Sequence, residues 1–159
     1  MKIQPGYLYH SKDEFFDIIN KNNLMINHKN GHSRPTYFTI KEGDILWFIP
    51  LSTNISKYIP LVNKKVKLYG QCNTILIRKI LGRNNAILIQ NAFPTLEKYI
   101  DHIHLDKKGN PVKVIDSLCE EIYINFAKMM ELKKKGKNFF FTNIDAIKEK
   151  MLDELKVVN

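Results

Sequence analysis

Residues 36–40 and 46–50 are dense in β-branched and aromatic side chains and flank the polar stretch Lys41-Glu42-Gly43-Asp44, which predicts an antiparallel hairpin. A second pair of such runs, 74–80 and 86–90, surrounds Gly82-Arg83-Asn84-Asn85 and predicts another. Residues 99–105 and 112–115 flank Lys107-Lys108-Gly109-Asn110 and predict a third, and 6–9 reads as a short strand. Helical spacing dominates the ends. Ser11, followed three residues later by Glu14, forms a capping box ahead of Phe15, Phe16, Ile18 and Ile19. Residues 20–31 are polar, rich in Asn and His, and read as a loop; 55–69 fit a short helix and a bend. Leu118, Ile122, Phe126 and Met130 recur at every fourth position behind a cap at Asp116 or Ser117, and that run ends in Lys133-Lys134-Lys135-Gly136. Ile147, Met151, Leu152 and Leu155 mark a last helix capped by Thr142 or Asn143. This order predicts an α+β fold: a compact, antiparallel, barrel-like sheet with surrounding and C-terminal helices.

A chain of 159 residues with 44% apolar content has the size of one domain with an ordinary core, spanning 1–159. The opening Met1-Lys2-Ile3-Gln4-Pro5-Gly6 is too polar for a signal peptide, and no run approaches the roughly 20 apolar residues of a spanning helix. Cys72 and Cys119 stand far apart, in no metal-ligand spacing, and read as reduced thiols of a cytoplasmic protein. Charge adds more. Between Asp44 and Glu97 there is no acidic residue, while Lys57, Lys64, Lys65, Lys67, Arg78, Lys79 and Arg83 give that stretch a net charge of +7. Such a surplus is the footprint of a polyanion partner, and interleaved aromatics (Tyr58, Tyr69, Phe93, Tyr99) suit stacking on unpaired bases or packing in a core.

The first hairpin carries the candidate chemistry. Its strands would place Arg34, at the entrance of one, beside Ser52 and Thr53, at the exit of the other, with His32 and Tyr37 close by. A permanently charged guanidinium beside hydroxyl donors is a cradle for an oxyanion. The alternative is two hydroxyls that make a turn and an arginine that lies in solvent. Asp101-His102-Ile103-His104 puts two imidazoles on one face of a strand, but a single His-x-His with no further clustered ligand does not make a metal site. Lys133 and Lys134 fit either RNA backbone contact or a solvated helix end.

A loop ending in Arg34-Pro35 that opens a strand, with a partner strand ending in hydroxyl residues, resembles the small-barrel ribonuclease toxins of the Kid/MazF superfamily. The phrase Trp47-Phe48-Ile49-Pro50-Leu51-Ser52-Thr53 is more similar to the type III toxin–antitoxin endoribonucleases of the ToxN and CptN kind. Lys67-Leu68-Tyr69-Gly70-Gln71-Cys72-Asn73-Thr74, Leu88-Ile89-Gln90-Asn91-Ala92-Phe93-Pro94 and Glu97-Lys98-Tyr99-Ile100-Asp101-His102 fit the CptN-like branch, and the resemblance runs from about residue 5 to 155. It implies cleavage of single-stranded RNA without metal or other cofactor, by attack of the substrate's 2′-hydroxyl, leaving 2′,3′-cyclic phosphate and 5′-hydroxyl ends. Arg34 and Thr53 then match the superfamily's phosphate clamp and Ser52 and Thr53 its hydroxyl pair, with Lys57 as a second cation and His32 or Tyr37 for proton transfer. Free imidazole titrates near working pH, at roughly 6.5. In many relatives of the ToxN branch a lysine stands within two residues of the hydroxyl pair; here Asn54, Ile55 and Ser56 precede Lys57. The resemblance also implies a small repeated pseudoknot RNA antitoxin, cut from its precursor by the toxin, mRNA as cellular substrate, growth arrest as phage defence, and assembly through RNA rather than membrane. Lys64, Lys65, Lys67, Tyr69, Arg78, Lys79, Arg83, Phe93, Lys133 and Lys134 are the expected RNA contacts.

Two rival classes remain on sequence alone. A non-catalytic RNA-binding module would explain the basic stretch and the aromatics. A duplex-DNA regulator fits less well, since neither terminal helix pair reads as a helix-turn-helix and the basic residues fall mainly in the predicted sheet.

Overall fold

In a computed structural model, which describes residues 2–19, 24–25, 27–29 and 32–158, the first hairpin forms around the turn Gly43-Asp44. Its strands are β4 (Thr36–Glu42) and β5 (Ile45–Ser52), and every residue of β5 is buried. The remaining strands are β1 (Leu8–Ser11), β2 (His28–Lys29), β3 (His32–Ser33), β6 (Leu76–Ile80), β7 (Arg83–Ile87), β8 (Phe93–Thr95) and β9 (Ile100–Ile103). The helices among the described residues are α1 (Asp13–Ile18), α2 (Ile55–Tyr69), α3 (Asp116–Lys134) and α4 (Ile144–Val158).

Among the described residues the main sheet has seven strands, ordered β6-β7-β5-β4-β1-β9, with β8 added to β5. All of its pairings are antiparallel. β5 is its axis: β4 lies along one edge, while β8 and then β7 share the other. The core is aromatic. Phe48 stacks on Phe38 at 5.1 Å between ring centroids and on Phe93 at 6.1 Å, with Tyr9 edge-on at 6.0 Å. Leu118, Ile122, Phe126 and Met129 of α3 and Ile147 and Met151 of α4 close that core from the helical side. The expected α+β architecture is therefore present.

Local details differ from expectation where long-range pairing overrides a local signal. Ser11 is the last residue of β1, paired opposite Ile100, and does not cap α1; Lys12 precedes that helix without a side-chain cap. Residues 55–69 form one 15-residue helix rather than a helix and bend, terminated by Gly70 at φ 79°. It is held by Tyr58 and Val62, which pack with Ile75, Ala86 and Leu88 in a second small core. Four of the seven cations of the acid-free stretch, Lys57, Lys64, Lys65 and Lys67, thus sit on this helix and not in the sheet. The β6–β7 turn is Leu81-Gly82, at φ 54° and 75°, so Arg83, Asn84 and Asn85 belong to β7. Residues 112–114 return beside His104, as the third hairpin requires, but also bond to Gly6 and Leu8. On α3 Met129, not Met130, is fully buried, because 3.6-residue periodicity drifts off a strict four-residue repeat. Of the predicted 20–31 loop, His28–Lys29 forms β2 against β3, and Gly31 with most of the remainder lies outside the described residues.

Candidate active site

The β4–β5 register sets Thr36 opposite Pro50, so the residue before β4 and those after β5 meet at one end of the hairpin. Arg34 spans that junction. Its Nη1 donates to the Leu51 carbonyl at 3.0 Å, and its backbone N–H donates to the Asn27 carbonyl. Burial lowers its pKa while Tyr58 opposes the shift, yet a guanidinium remains cationic at any working pH. Ser52 is buried and its Oγ accepts the Asn54 N–H at 3.2 Å; Thr53 is exposed. The turn reading of Ser52 is thus partly right, though an accepting hydroxyl keeps its own O–H to donate.

β7 completes the surroundings. Ser52 stands opposite Ala86, which brings Asn85 and Arg83 alongside, the Asn85 amide donating to the Arg83 carbonyl at 2.9 Å. The result is a cleft of about 420 Å³ lined by Arg34 and Arg83, the hydroxyls of Ser33, Ser52 and Thr53, the Asn85 amide and the His32 imidazole. Among the described residues no carboxylate lines it. α2 starts at Ile55, with no acidic side chain in its first turn, so its N-terminal amides add to the positive potential. Two arginines and a set of neutral donors in an acid-free cleft suit a phosphodiester. A larger cleft of about 730 Å³ adjoins it, sharing Pro35, Leu51, Thr53, Arg83 and Asn85 and continuing to His104, Lys107 and Lys108.

Beside these clefts lies a histidine cluster. β1 and β9 pair with His10 opposite His102, and the rings stack at 4.4 Å and 14°. His10 Nδ1 and Ser33 Oγ are 2.6 Å apart, and His10 Nε2 and His104 Nδ1 2.8 Å. Burial, with His102 and His104 nearby, pushes His10 down to about 4. Burial followed by His102 lowers His104 as well. Among the described residues no three His, Cys or carboxylate side chains are placed to hold a metal ion together.

The other expected site residues distribute as follows. Lys57 is exposed in the first turn of α2, its ammonium 5.4 Å from the Tyr58 ring centroid. Tyr37 is corrected: at 2% exposure it is a core side chain beside Cys119, and burial raises its pKa. It cannot reach a ligand in the cleft. Phe93 is corrected likewise, being 1% exposed among Phe15, Phe16 and Phe48. Tyr58 and Tyr99 are also buried, whereas Tyr69 is 68% exposed at the end of α2. Lys64 and Lys67 are exposed, and the Lys65 ammonium donates to Thr74 Oγ1 at 2.6 Å. Arg78 is engaged by Glu121 of α3 through two hydrogen bonds of 2.8 Å, which spends much of its charge internally. Lys79 is exposed on β6. Lys133 pairs with Asp145, and Lys134 lies near Glu42, at the turn end of the hairpin and far from the cleft.

Sequence reasoning missed Ser33, Asn85, His10 and His104 as parts of one neighbourhood. The His-x-His alternation was a partial signal for His104. Nothing local marked His10.

No family model matches the chain, and no curated protein does. Among solved structures the fold is similar to that of AbiQ, a lactococcal anti-phage endoribonuclease belonging to the type III toxin–antitoxin system. The TM-score is 0.73 at 16% identity, over 94% of this chain and 98% of that one. It is also similar to a toxin of a bacterial type III toxin–antitoxin system, selectively inhibited by a non-coding RNA pseudoknot. There the TM-score is 0.69 at 13% identity, over 95% of this chain and 98% of the other.

Proposed function

We propose that this protein is the endoribonuclease toxin of a type III toxin–antitoxin system, and that its reaction takes place in the cleft between Arg34 and Thr53. The observation that carries the reading is the acid-free convergence of Arg34, Arg83, Ser52 and Thr53 on one cleft, in a fold shared along nearly its whole length with such toxins. Single-stranded RNA lies with one phosphodiester between the two arginines. The 2′-hydroxyl attacks the adjacent phosphorus, the 5′-oxygen leaves, and a 2′,3′-cyclic phosphate forms. Negative charge grows on the non-bridging oxygens, where Arg34 and the hydroxyls of Ser52 and Thr53 stabilise it. No metal enters this scheme; the fixed cations take the role a metal would have at the phosphorane. Lys57, Lys64 and Lys67 on α2 extend the phosphate track beyond the cleft.

A folded pseudoknot RNA, released from its repeat precursor by the toxin, covers the same surface and keeps the protein inactive in the cytoplasm. Free toxin cuts mRNA. The test is cleavage of a single-stranded RNA pool in EDTA by wild type and by Thr53→Ala, with the fragment ends mapped chemically. Cutting with cyclic-phosphate ends, reduced about 10²-fold or more by the substitution, is the expected result. Failure of folded, RNA-free wild type to cut would leave a binding module in its place. Binding should weaken with salt by a logarithmic slope of roughly 0.7 per phosphate-bound cation.

A further inference from the structure

We propose that His104, His10 and Ser33 form a proton relay serving the cleft, His104 exchanging a proton with the attacking oxygen and Ser33 with the leaving one. The inference rests on the ribonuclease reading above and supplies the acid–base chemistry which that reading leaves unassigned. Three observations carry it. The chain of contacts is continuous: Ser33 Oγ to His10 Nδ1 is 2.6 Å, and His10 Nε2 to His104 Nδ1 is 2.8 Å. Its two ends open into different, adjoining clefts, Ser33 into the smaller and His104 into the larger. Those clefts share Thr53 and Arg83, so a phosphodiester bound there has one relay terminus on each side.

The middle of the chain is shielded. His10 is 7% exposed and sandwiched between His102, stacked on its ring, and its two hydrogen-bond partners. The stacking directs the His102 ring face, not a ring nitrogen, at His10, so the three imidazoles do not converge on a common point as metal ligands would. His104 Nε2 has no partner among the described residues and is the nitrogen left to meet substrate.

A neutral chain of this kind has two proton arrangements. In one, His104 Nδ1–H donates to His10 Nε2 and His10 Nδ1–H donates to Ser33 Oγ, leaving His104 Nε2 as a base. In the other, Ser33 O–H donates to His10 Nδ1 and His10 Nε2–H donates to His104 Nδ1, so His104 Nε2 carries a proton. Catalysis converts the first into the second. The 2′-hydroxyl proton passes to His104 Nε2 as the 2′-oxygen–phosphorus bond forms. The His104 Nδ1 proton moves to His10 Nε2, and the His10 Nδ1 proton moves to Ser33 Oγ. The Ser33 hydroxyl proton goes to the 5′-oxygen as the phosphorus–5′-oxygen bond breaks. One proton enters, one leaves, and no charge accumulates.

Both rings are held below the ordinary imidazole range, which keeps the chain neutral at physiological pH. The groups facing it are His102 and Asp101 on β9 and Ser33 on β3. Arg83 of β7 and Asp106, Lys107 and Lys108 of the loop after β9 line the His104 cleft.

The test compares wild type with His104→Gln, His10→Gln and Ser33→Ala on two RNAs, one ordinary and one with sulfur replacing the bridging 5′-oxygen at the cut site. Sulfur leaves as a thiolate and needs no proton. Cleavage of ordinary RNA should fall about 10²-fold or more in each variant, the lower end of what general acid–base groups supply. The sulfur substrate should restore Ser33→Ala to within about tenfold of wild type and should not restore His104→Gln. The acidic limb of the wild-type pH–rate profile should vanish in His104→Gln. Affinity for an uncleavable RNA with 2′-deoxyribose at the cut site reports folding and should stay within about threefold in His104→Gln and Ser33→Ala, the loss being one of chemistry rather than binding. If His10→Gln fails to fold, the other two variants decide. Cleavage by folded His104→Gln at the wild-type rate would overturn the relay, as would an equal Ser33→Ala deficit on both RNAs. Failure of wild type to cut either RNA would overturn the ribonuclease reading, and the relay with it.

Discussion

The histidine cluster has a consequence for stability that is independent of function. At pH 7.5 the His10 ring is neutral in the folded chain and largely neutral in the unfolded one. As pH falls through 6.5 the unfolded chain takes up a proton there, while the folded ring resists until about pH 4. The unfolded state then binds more protons, so stability is fully present above pH 6.5 and is lost as pH falls between those values. The difference from 6.5 to about 4, at roughly 1.4 kcal/mol per pKa unit, amounts to about 3 kcal/mol. His10 is 7% exposed, so solvent screening removes little of this. His104 adds to the loss in the same direction. Carboxylates begin to titrate below pH 5, and the comparison that isolates His10 is wild type against His10→Gln. Urea unfolding at pH 7.5, 6.5, 5.5 and 4.5 gives the two slopes. Wild type should lose about 2 kcal/mol more than the variant across that range. Parallel curves would mean that the ring is solvated or paired otherwise, and would remove the shielding on which the relay depends.

Three further outcomes follow from other parts of the structure. Arg34→Lys keeps the charge but loses the planar fork that holds the Leu51 carbonyl and, in the proposed reaction, the phosphate as well; RNA cleavage should fall about 10²-fold while unfolding measurements show a loss of only about 1 kcal/mol. A variant cleaving within threefold of wild type would take Arg34 out of the site. Leu81 occupies the left-handed region at φ 54° with its side chain in solvent, so Leu81→Asn should stabilise by about 1 kcal/mol in thermal melts, and a drop in melting temperature would contradict that reading of the turn. Phe48→Ala removes a fully buried ring stacked on Phe38 and Phe93 and should cost about 3–5 kcal/mol in urea unfolding; a loss near 1 kcal/mol would show the aromatic core to be loosely packed.

Local signals in the sequence determined the elements that local physics governs. The β4–β5 hairpin follows from β-branched runs and a Gly-Asp turn, and the Asn143 cap of α4, whose Oδ1 accepts the Ala146 N–H, from a side chain suited to an orphan donor. Because that hairpin is local, the meeting of Arg34 with Ser52 and Thr53 was legible as well. Tertiary structure alone decided which side chains face inward and which strands are neighbours. An aromatic ring reads the same in a run of residues whether it packs or binds, so Tyr37 and Phe93 revealed their burial only in the sheet. A cation likewise carries no mark of its partner, and Glu121, 43 residues away, claims Arg78. His10 and His104 are 94 residues apart and meet because β1 pairs with β9, which ends one residue before His104, while Ser33 of β3 arrives just ahead of β4, the strand on the other side of β1. Strand order is set by the burial of a whole aromatic core at once, a collective choice that no single segment encodes.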